Sequence, residues 1–262
     1  MHDPRVLIDG LPASPEALLH QALVNYGAYT SFRVEDGGVR GLDRHLARLD
    51  QAARELFGEM PDPGDLRAWA RSALADRTEG FVRISLFSQH ISHRDPTWAG
   101  CPQVMVCAFD PPPPLSDAPL RVQSQVYRRE APHLKSVATF GLMRARRAAR
   151  AAGFDDALLV DDDGVIAEGT LWNVGFWEED HLVWPDAPML DGVTQALLKE
   201  GLGGERRRVT LDDLRGFDAA FICNSATPAC AVSAVDSISF DSAPERIARL
   251  TAAWAANPVQ PI

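Results

Sequence analysis

The sequence predicts a mixed α/β (α+β) fold in two lobes, and three features predict it. Strand-like runs rich in β-branched and aromatic residues alternate with stretches of helical period along the chain. A proline-rich stretch, "DPPPPLSDAPL" at positions 110 to 120, divides them, and four consecutive prolines can continue neither a helix nor a central strand. Hydrophobic residues make up 46% of the 262 residues, enough for two cores and far from a disordered composition. The expected division is therefore a smaller N-terminal lobe over 1–110, a linker over 111–120 and a larger lobe over 121–262.

The elements follow in order. "PRVLIDGLPAS" reads as a strand, a turn at Asp9-Gly10 and a short second edge. "YGAYTSFRVEDGGVRG" is a strand with a Gly-Gly turn leading into a helix, in which Leu46, Leu49, Ala53 and Leu56 recur at helical spacing over 42–57. Pro63-Gly64-Asp65 starts a second amphipathic helix. "GFVRISLFS" and "PQVMVCAFD" are buried-type strands. Beyond the prolines, "LRVQSQVYR" is a strand, 139–152 a helix, and "DALLVDDDGVIAEG" and "WNVGFWEEDHLVW" are hairpins. "GVTQALLKEGL" is a helix, and "AAFICNSATPACAV" is a buried strand running into a turn of small residues. No internal repeat or low-complexity tract is present.

Bulk composition narrows the function. A net charge of -10 argues against a nucleic-acid or anionic-membrane partner, so any anionic ligand needs a local site. No apolar run has the length of a bilayer span, and the N-terminus lacks a signal-peptide pattern, which predicts a cytoplasmic protein. Cys101, Cys107, Cys223 and Cys230 show no zinc-ligand spacing and read as reduced thiols; no metal is expected.

One residue stands out by its rarity. Of 26 basic residues only Lys135 and Lys199 are lysine. A charge that only has to stay charged can be arginine, whereas an amine that must lose its proton and attack a carbonyl cannot. Lys199 lies beside Gln195 and Glu200, which predicts a solvated side chain, and leaves Lys135 as the candidate nucleophile. Glu168, beside Gly169 at a strand end and flanked by apolar residues, calls for a positive partner. Gly192, Val193 and Thr194 open a helix and offer backbone amides to an anion. "NSATP" at 224–228 is a second small-residue turn of free amides and hydroxyls, and Arg48 lies in the helical run "HLARLDQAA".

In this order and spacing the pieces "LKS", "GFDDALLVDDDGVIAEG", "NVGF" and "LDGVT" resemble the class IV, or fold-type IV, pyridoxal phosphate enzymes. That family includes branched-chain aminotransferases, D-amino-acid aminotransferases and aminodeoxychorismate lyases. The resemblance runs from "LIDG" to "AVD". It implies a small N-terminal α/β lobe, a larger C-terminal lobe with a barrel-like sheet, pyridoxal 5'-phosphate as cofactor, and a homodimer. It implies that Lys135 holds the cofactor as an internal aldimine and moves the proton. Glu168 would pair with the pyridine nitrogen, Arg48 clamp the phosphate, and Val193 and Thr194 cap it. Leu190 would pack on the ring, and Ser225 and Ala226 lie near phosphate and substrate carboxylate. Tyr29 would line the substrate pocket, and Arg94, with His90 and His93 in "SQHISHRDPTW", offers a substrate-binding cation. Where branched-chain enzymes carry an Asn-Tyr pair after the lysine, Thr139 and Phe140 stand here. The implied reaction is amino-group transfer between an amino acid and a 2-oxo acid. The alternatives are an aminodeoxychorismate lyase releasing pyruvate, suggested by the short chain and the "ICNSATP" turn, and a relative that binds cofactor without turnover.

Overall fold

The computed structural model describes residues 5–113 and 118–262, so positions 114–117 of the expected linker and positions 1–4 lie outside it. The chain divides into two units. The first comprises Met1–Pro113 with Leu134–Ala138 and Pro258–Ile262, the second Pro114–His133 with Thr139–Asn257.

In the first unit, β1 (Arg5–Ile8) and β2 (Leu11–Pro12) form the hairpin expected about Asp9-Gly10, both of which adopt positive φ (51° and 78°). A helix the apolar pattern had not revealed, α1 (Pro15–Val24), follows. Ser14 caps it by accepting from the Ala17 amide at 3.2 Å, and Pro15 opens its first turn. Then come β3 (Ala28–Val34), β4 (Gly38–Arg40), α2 (Leu42–Phe57), α3 (Pro63–Leu74), β5 (Gly80–Phe87) and β6 (Gln103–Phe109). The five-stranded sheet runs β2-β1-β6-β5-β3, antiparallel throughout. Phe32 and Val34 alternate onto its core face and meet Leu42, Leu46, Leu49, Ala53 and Phe57 of α2. Each of the larger of these side chains contributes roughly 1.5–3 kcal/mol by leaving water.

The second unit contains β7 (Leu120–Val126), α4 (Phe140–Ala151), β8 (Asp156–Val160), β9 (Ile166–Gly169), β10 (Asn173–Glu178) and β11 (His181–Pro185). It continues with α5 (Val193–Leu202), β12 (Glu205–Arg207), β13 (Ala219–Cys223), β14 (Cys230–Val235), β15 (Ile238–Ser239) and α6 (Pro244–Ala255). The nine-stranded sheet is ordered β12-β11-β10-β13-β14-β7-β8-β9, with β15 on β14. β9 ends this order yet packs against β10 and β11 near its other end, so the sheet curls upon itself. Its concave side is filled by Val122, Leu158, Ile166, Trp172, Val174, Phe176 and Ile222. α5 and α6 pack together, with Gly201 against Ala253.

Two later segments belong to the first unit. Ser136 bridges Ala28 of β3, and β16 (Val259–Pro261) pairs with β4. Backbone pairing, not sequence position, assigns them there. No helix among the described residues is long and apolar enough to cross a membrane.

Candidate active site

Lys135 lies in the short segment that pairs with β3. Its carbonyl accepts from the Tyr29 amide at 2.8 Å, and the Val137 amide donates to Gly27 O at 3.0 Å. Leu134 and Val137 are buried on either side, and Lys135 itself is half-buried. On its other side Gly27 is tight against β5: its φ is 148°, and a Cβ there would lie 2.0 Å from Leu86 O, so glycine is required.

Tyr29 gathers two cations. Lys135 Nζ lies 4.9 Å from its ring centroid and the Arg83 guanidinium carbon 3.7 Å. Arg83 Nε also donates to Ser85 Oγ at 3.2 Å, one pleat along β5. The guanidinium over Tyr29 is thus Arg83's, which the sequence reading did not single out; Arg94 is exposed in the loop after β5, where the His90 and Trp98 rings stack at 5.2 Å.

His45 was also missed. It is 1% exposed, hydrogen-bonded through Nδ1 to the buried Thr30 Oγ1 at 2.7 Å. Burial, then the charges of Arg48 and Lys135, hold its pKa well below the usual histidine range, so the ring is neutral at pH 7. Arg48 is one helical turn further along α2, and His45, Arg48 and Lys135 share one electrostatic neighbourhood in the first unit. The signal for His45 was present in the sequence: its i, i+3 spacing to Arg48.

The second unit brings the remaining candidates to one end of its sheet. Glu168 near the end of β9 is 3% exposed. Its Oε1 accepts from Arg129 Nε at 2.6 Å and from the Leu190 amide at 3.3 Å. Arg129 is a partner that the sequence reading did not name. Leu190 O accepts from Asn173 Nδ2 at 2.8 Å, so the loop before α5 is tied to the first residue of β10. α5 then starts at Gly192 with no side-chain cap, leaving its first amides for another acceptor. Val193 and Thr194, 5% and 3% exposed, form that first turn. A Cβ at Gly192 would lie 1.9 Å from Asn173 Oδ1, so no larger residue fits without displacing Asn173.

Asn224 organises the other turn. Its Oδ1 accepts from the Ala226 and Thr227 amides at 2.9 and 2.8 Å, and its Nδ2 donates to Leu171 O at 3.2 Å. Ser225 and Ala226 are thereby tied to the turn that follows Glu168. Gln195 Nε2 and Thr227 Oγ1 are buried without a hydrogen-bond partner, a costly state that a bound polar group would relieve.

Lys199 differs from expectation. It is half-buried, its Nζ 5.3 Å from the Trp184 ring centroid, and burial is the first cause lowering its pKa. The apolar packing of α5 makes the difference, and Gln195, read as marking a wet face, is itself buried. Cys223 beside it is pushed up to about 12 by burial and stays a thiol. Phe140 is 81% exposed. Among the described residues no group of three or more His, Cys, Asp or Glu side chains is arranged to hold a metal.

The model of the family described as amino-transferase class IV matches residues 27–235, most of the chain and all of the candidate residues above. The chain belongs to the class IV aminotransferases. This family member is 25% identical over 241 residues to a probable branched-chain-amino-acid aminotransferase of Rickettsia bellii, covering 86% of this chain and 83% of the relative. It is 26% identical over 241 residues to an aminodeoxychorismate lyase of Bacillus subtilis, covering 85% and 82%. A hypothetical aminotransferase from Mycobacterium tuberculosis in its PLP-bound form matches with a TM-score of 0.78 over 96% of this chain and 98% of that one, at 22% identity. The fold is the mixed α/β fold of the fold-type IV transaminases.

Proposed function

We propose that the protein is a pyridoxal 5'-phosphate-dependent aminotransferase moving an amino group between an amino acid and a 2-oxo acid. The observation that carries this reading is Glu168: a buried carboxylate at a strand end, paired with Arg129 and held by the amide of Leu190, just ahead of an uncapped helix. A buried carboxylate kept ionised by a fixed cation suits a protonated pyridine nitrogen. The donor set also fits the phosphate, since the free amides of Val193 and Thr194 and the unpartnered Gln195 Nε2 and Thr227 Oγ1 are the kind of groups a dianion satisfies.

When bound, the cofactor supplies an electron sink for the charge left on the substrate's α-carbon. Lys135 supplies the amine that holds it covalently, and its Nζ takes the α proton and later returns it. Glu168 keeps the ring nitrogen protonated, with Arg129 fixing the carboxylate. Leu190 would pack on the ring. Arg48 would supply the phosphate a cation and the α5 amides hydrogen bonds, with Ser225 and Ala226 the turn that would lie near it. Tyr29 walls the substrate site, and Arg83 above it offers the substrate carboxylate a cation. The reading carries with it a cytoplasmic homodimer in which His90, His93 or Arg94 of the exposed loop reaches the partner's site.

The second reading is the lyase, favoured by the Bacillus subtilis relative and by Phe140, which lacks a hydroxyl and is exposed. In it the same lysine takes a proton and pyruvate is eliminated. The deciding experiment adds L- and D-amino acids singly to the loaded protein and follows the cofactor's absorbance, with aminodeoxychorismate and pyruvate detection in parallel. Spectral turnover with an amino acid, reversed by a 2-oxo acid, is expected. Pyruvate release without exchange selects the lyase, and neither response overturns both.

A further inference from the structure

We propose that Asp156 is a positioning residue for Glu168: it latches the turn that follows and so aims the carboxylate at the cofactor's ring nitrogen. The inference rests on the reading above. Asp156 is 1% exposed. Its Oδ1 accepts from Thr170 Oγ1 at 2.7 Å and from the Ala157 amide at 2.8 Å. Its Oδ2 accepts from Trp172 Nε1 at 3.0 Å, and Arg146 Nε lies 3.5 Å away. A carboxylate this buried is expensive unless its lone pairs are filled, and here donors converge on both oxygens. Two of them, Thr170 and Trp172, come from the turn that begins two residues after Glu168.

That turn is drawn tight. The Gly169 amide donates to Trp172 O at 2.8 Å, and the Trp172 ring folds back so closely that a Cβ on Gly169 would lie 2.2 Å from it. The latch matters because the strand on the other side of Glu168 is irregular. β8 pairs Leu159 with Glu168 and Leu158 with Gly169, but the next pair is Val160 with Ile166, so Ala167 is bulged out immediately before Glu168. A bulge re-aims the side chains beside it and locally disrupts the ladder. The ladder therefore fixes Glu168 poorly from its N-terminal side. The fixed end is Gly169–Trp172, and Asp156 fixes it through side chains, with Asn224 holding Leu171 O from the opposite side.

The test uses the apo-protein and two ligands: pyridoxal phosphate and its 1-deaza analogue, in which carbon replaces the ring nitrogen. Both keep the phosphate and the aldehyde, and the ring's own reactivity is common to every variant, so the change in their ratio of dissociation constants from wild type to variant reads the Glu168 contact. The wild type should prefer pyridoxal phosphate by about tenfold, as for a hydrogen bond to a charged group. Asp156→Asn should lose most of that preference while its affinity for the analogue changes less than about twofold. The asparagine amide opposes the Trp172 N–H, donor against donor. Trp172→Phe in the same chain removes the opposed donor, so the double variant should regain preference relative to Asp156→Asn. Trp172→Phe alone keeps the ring over Gly169 and should lose about half of the preference on a logarithmic scale, which keeps the test open if Asp156→Asn does not fold. Equal weakening of both ligands, or an undiminished preference in these variants, overturns the inference. A wild type with no preference overturns the Glu168 reading first, and the inference falls with it.

Discussion

The two units bury ionisable groups in opposite ways. In the first, His45 sits in the core beside cations and gives up its charge, because burial and the fields of Arg48 and Lys135 all disfavour the imidazolium. In the second, Glu168 is buried as deeply but is paired with Arg129 and hydrogen-bonded to Leu190. A proton is removed in one place and a counter-charge supplied in the other. The proposed roles follow from this difference. A neutral histidine adds no competing positive charge near a lysine that must work as a free amine, whereas a carboxylate facing a pyridine nitrogen must remain ionised. Each solution has its own vulnerability: the first is sensitive to pH, the second to loss of a partner.

The largest effect should come from the residue proposed to do chemistry in the first unit. Lys135→Arg keeps a cation near Tyr29 but can neither hold the cofactor covalently nor shuttle the proton. Turnover should fall by at least about 10³-fold, with nucleophile and base lost together, while added pyridoxal phosphate still binds non-covalently. Borohydride treatment of the wild type followed by peptide mapping should label Lys135 and leave Lys199 unlabelled. Label on Lys199, or near-normal turnover in Lys135→Arg, would remove the assignment.

Next in size is the pair in the second unit. Glu168→Leu strands Arg129, whose side chain is only 10% exposed, and should cost roughly 3–5 kcal/mol of apo-protein stability. The double variant Glu168→Leu/Arg129→Met should recover most of that loss, because it removes the stranded charge as well as its partner. Urea denaturation of both apo-proteins reads the difference. If the double variant is as unstable as the single one, pairing is not how this unit tolerates its carboxylate.

Much of this was legible in the sequence, and what was not has physical causes. α2 appears at its expected bounds because Leu46, Leu49 and Ala53 all face one core. α1 escaped because its leucines do not share a buried face: Leu18, Leu19 and Leu23 are all exposed, so only the Ser14-Pro15 start carried a signal. The hairpins of the second unit were readable from Asp163-Gly164 and from the run "WNVGFWEEDHLVW". The return of Leu134–Ala138 to the first unit was not, because it depends on backbone pairing of Ser136 with Ala28, and backbone pairing leaves no residue pattern. Candidate site residues divide the same way. Lys135 and Glu168 were visible as chemical oddities, one by rarity and one by a charge in apolar company. Arg129 and Asp156 were hidden, because their meaning lies in partners that the fold brings from 39 and 14 to 16 residues away.

A smaller effect compares the two proposed phosphate contributions. Arg48→Ala removes a full charge from the first unit, whereas Thr194→Ala removes a hydroxyl from the second and leaves the α5 amides in place. Arg48→Ala should raise the cofactor's dissociation constant by about tenfold or more, and Thr194→Ala by a few-fold, as expected for charged and neutral hydrogen bonds. Equilibrium dialysis of the two variants decides it, and equal or reversed losses would count against Arg48 as the main counterion.

The finest test of the comparison is the pH dependence of His45. Its folded-state pKa lies below the ordinary value of 6.5, so above that pH neither state binds a proton there and the residue contributes no slope. Below it the unfolded chain takes up a proton that the native ring refuses, and the native state loses stability as pH falls. The loss approaches about 1.4 kcal/mol per pH unit for one site until the folded-state pKa is reached. Asp161, held low chiefly by the Val165 amide, and Asp213, held low chiefly by the Thr210 hydroxyl, act in a separate window. Their folded pKa values lie below the ordinary 3.8, so what they contribute is kept above that pH and lost only as the solution becomes more acidic. Denaturation midpoints of the apo-protein between pH 7.5 and 5 therefore isolate the histidine from these carboxylates. His45→Asn keeps a polar group near Thr30 Oγ1 but cannot titrate. It should lower stability at every pH, through the space it leaves, while flattening the slope between pH 6.5 and 5. An unchanged slope would mean that His45 is protonated in the native state, and the contrast between a unit that discharges its buried group and one that pairs it would be lost.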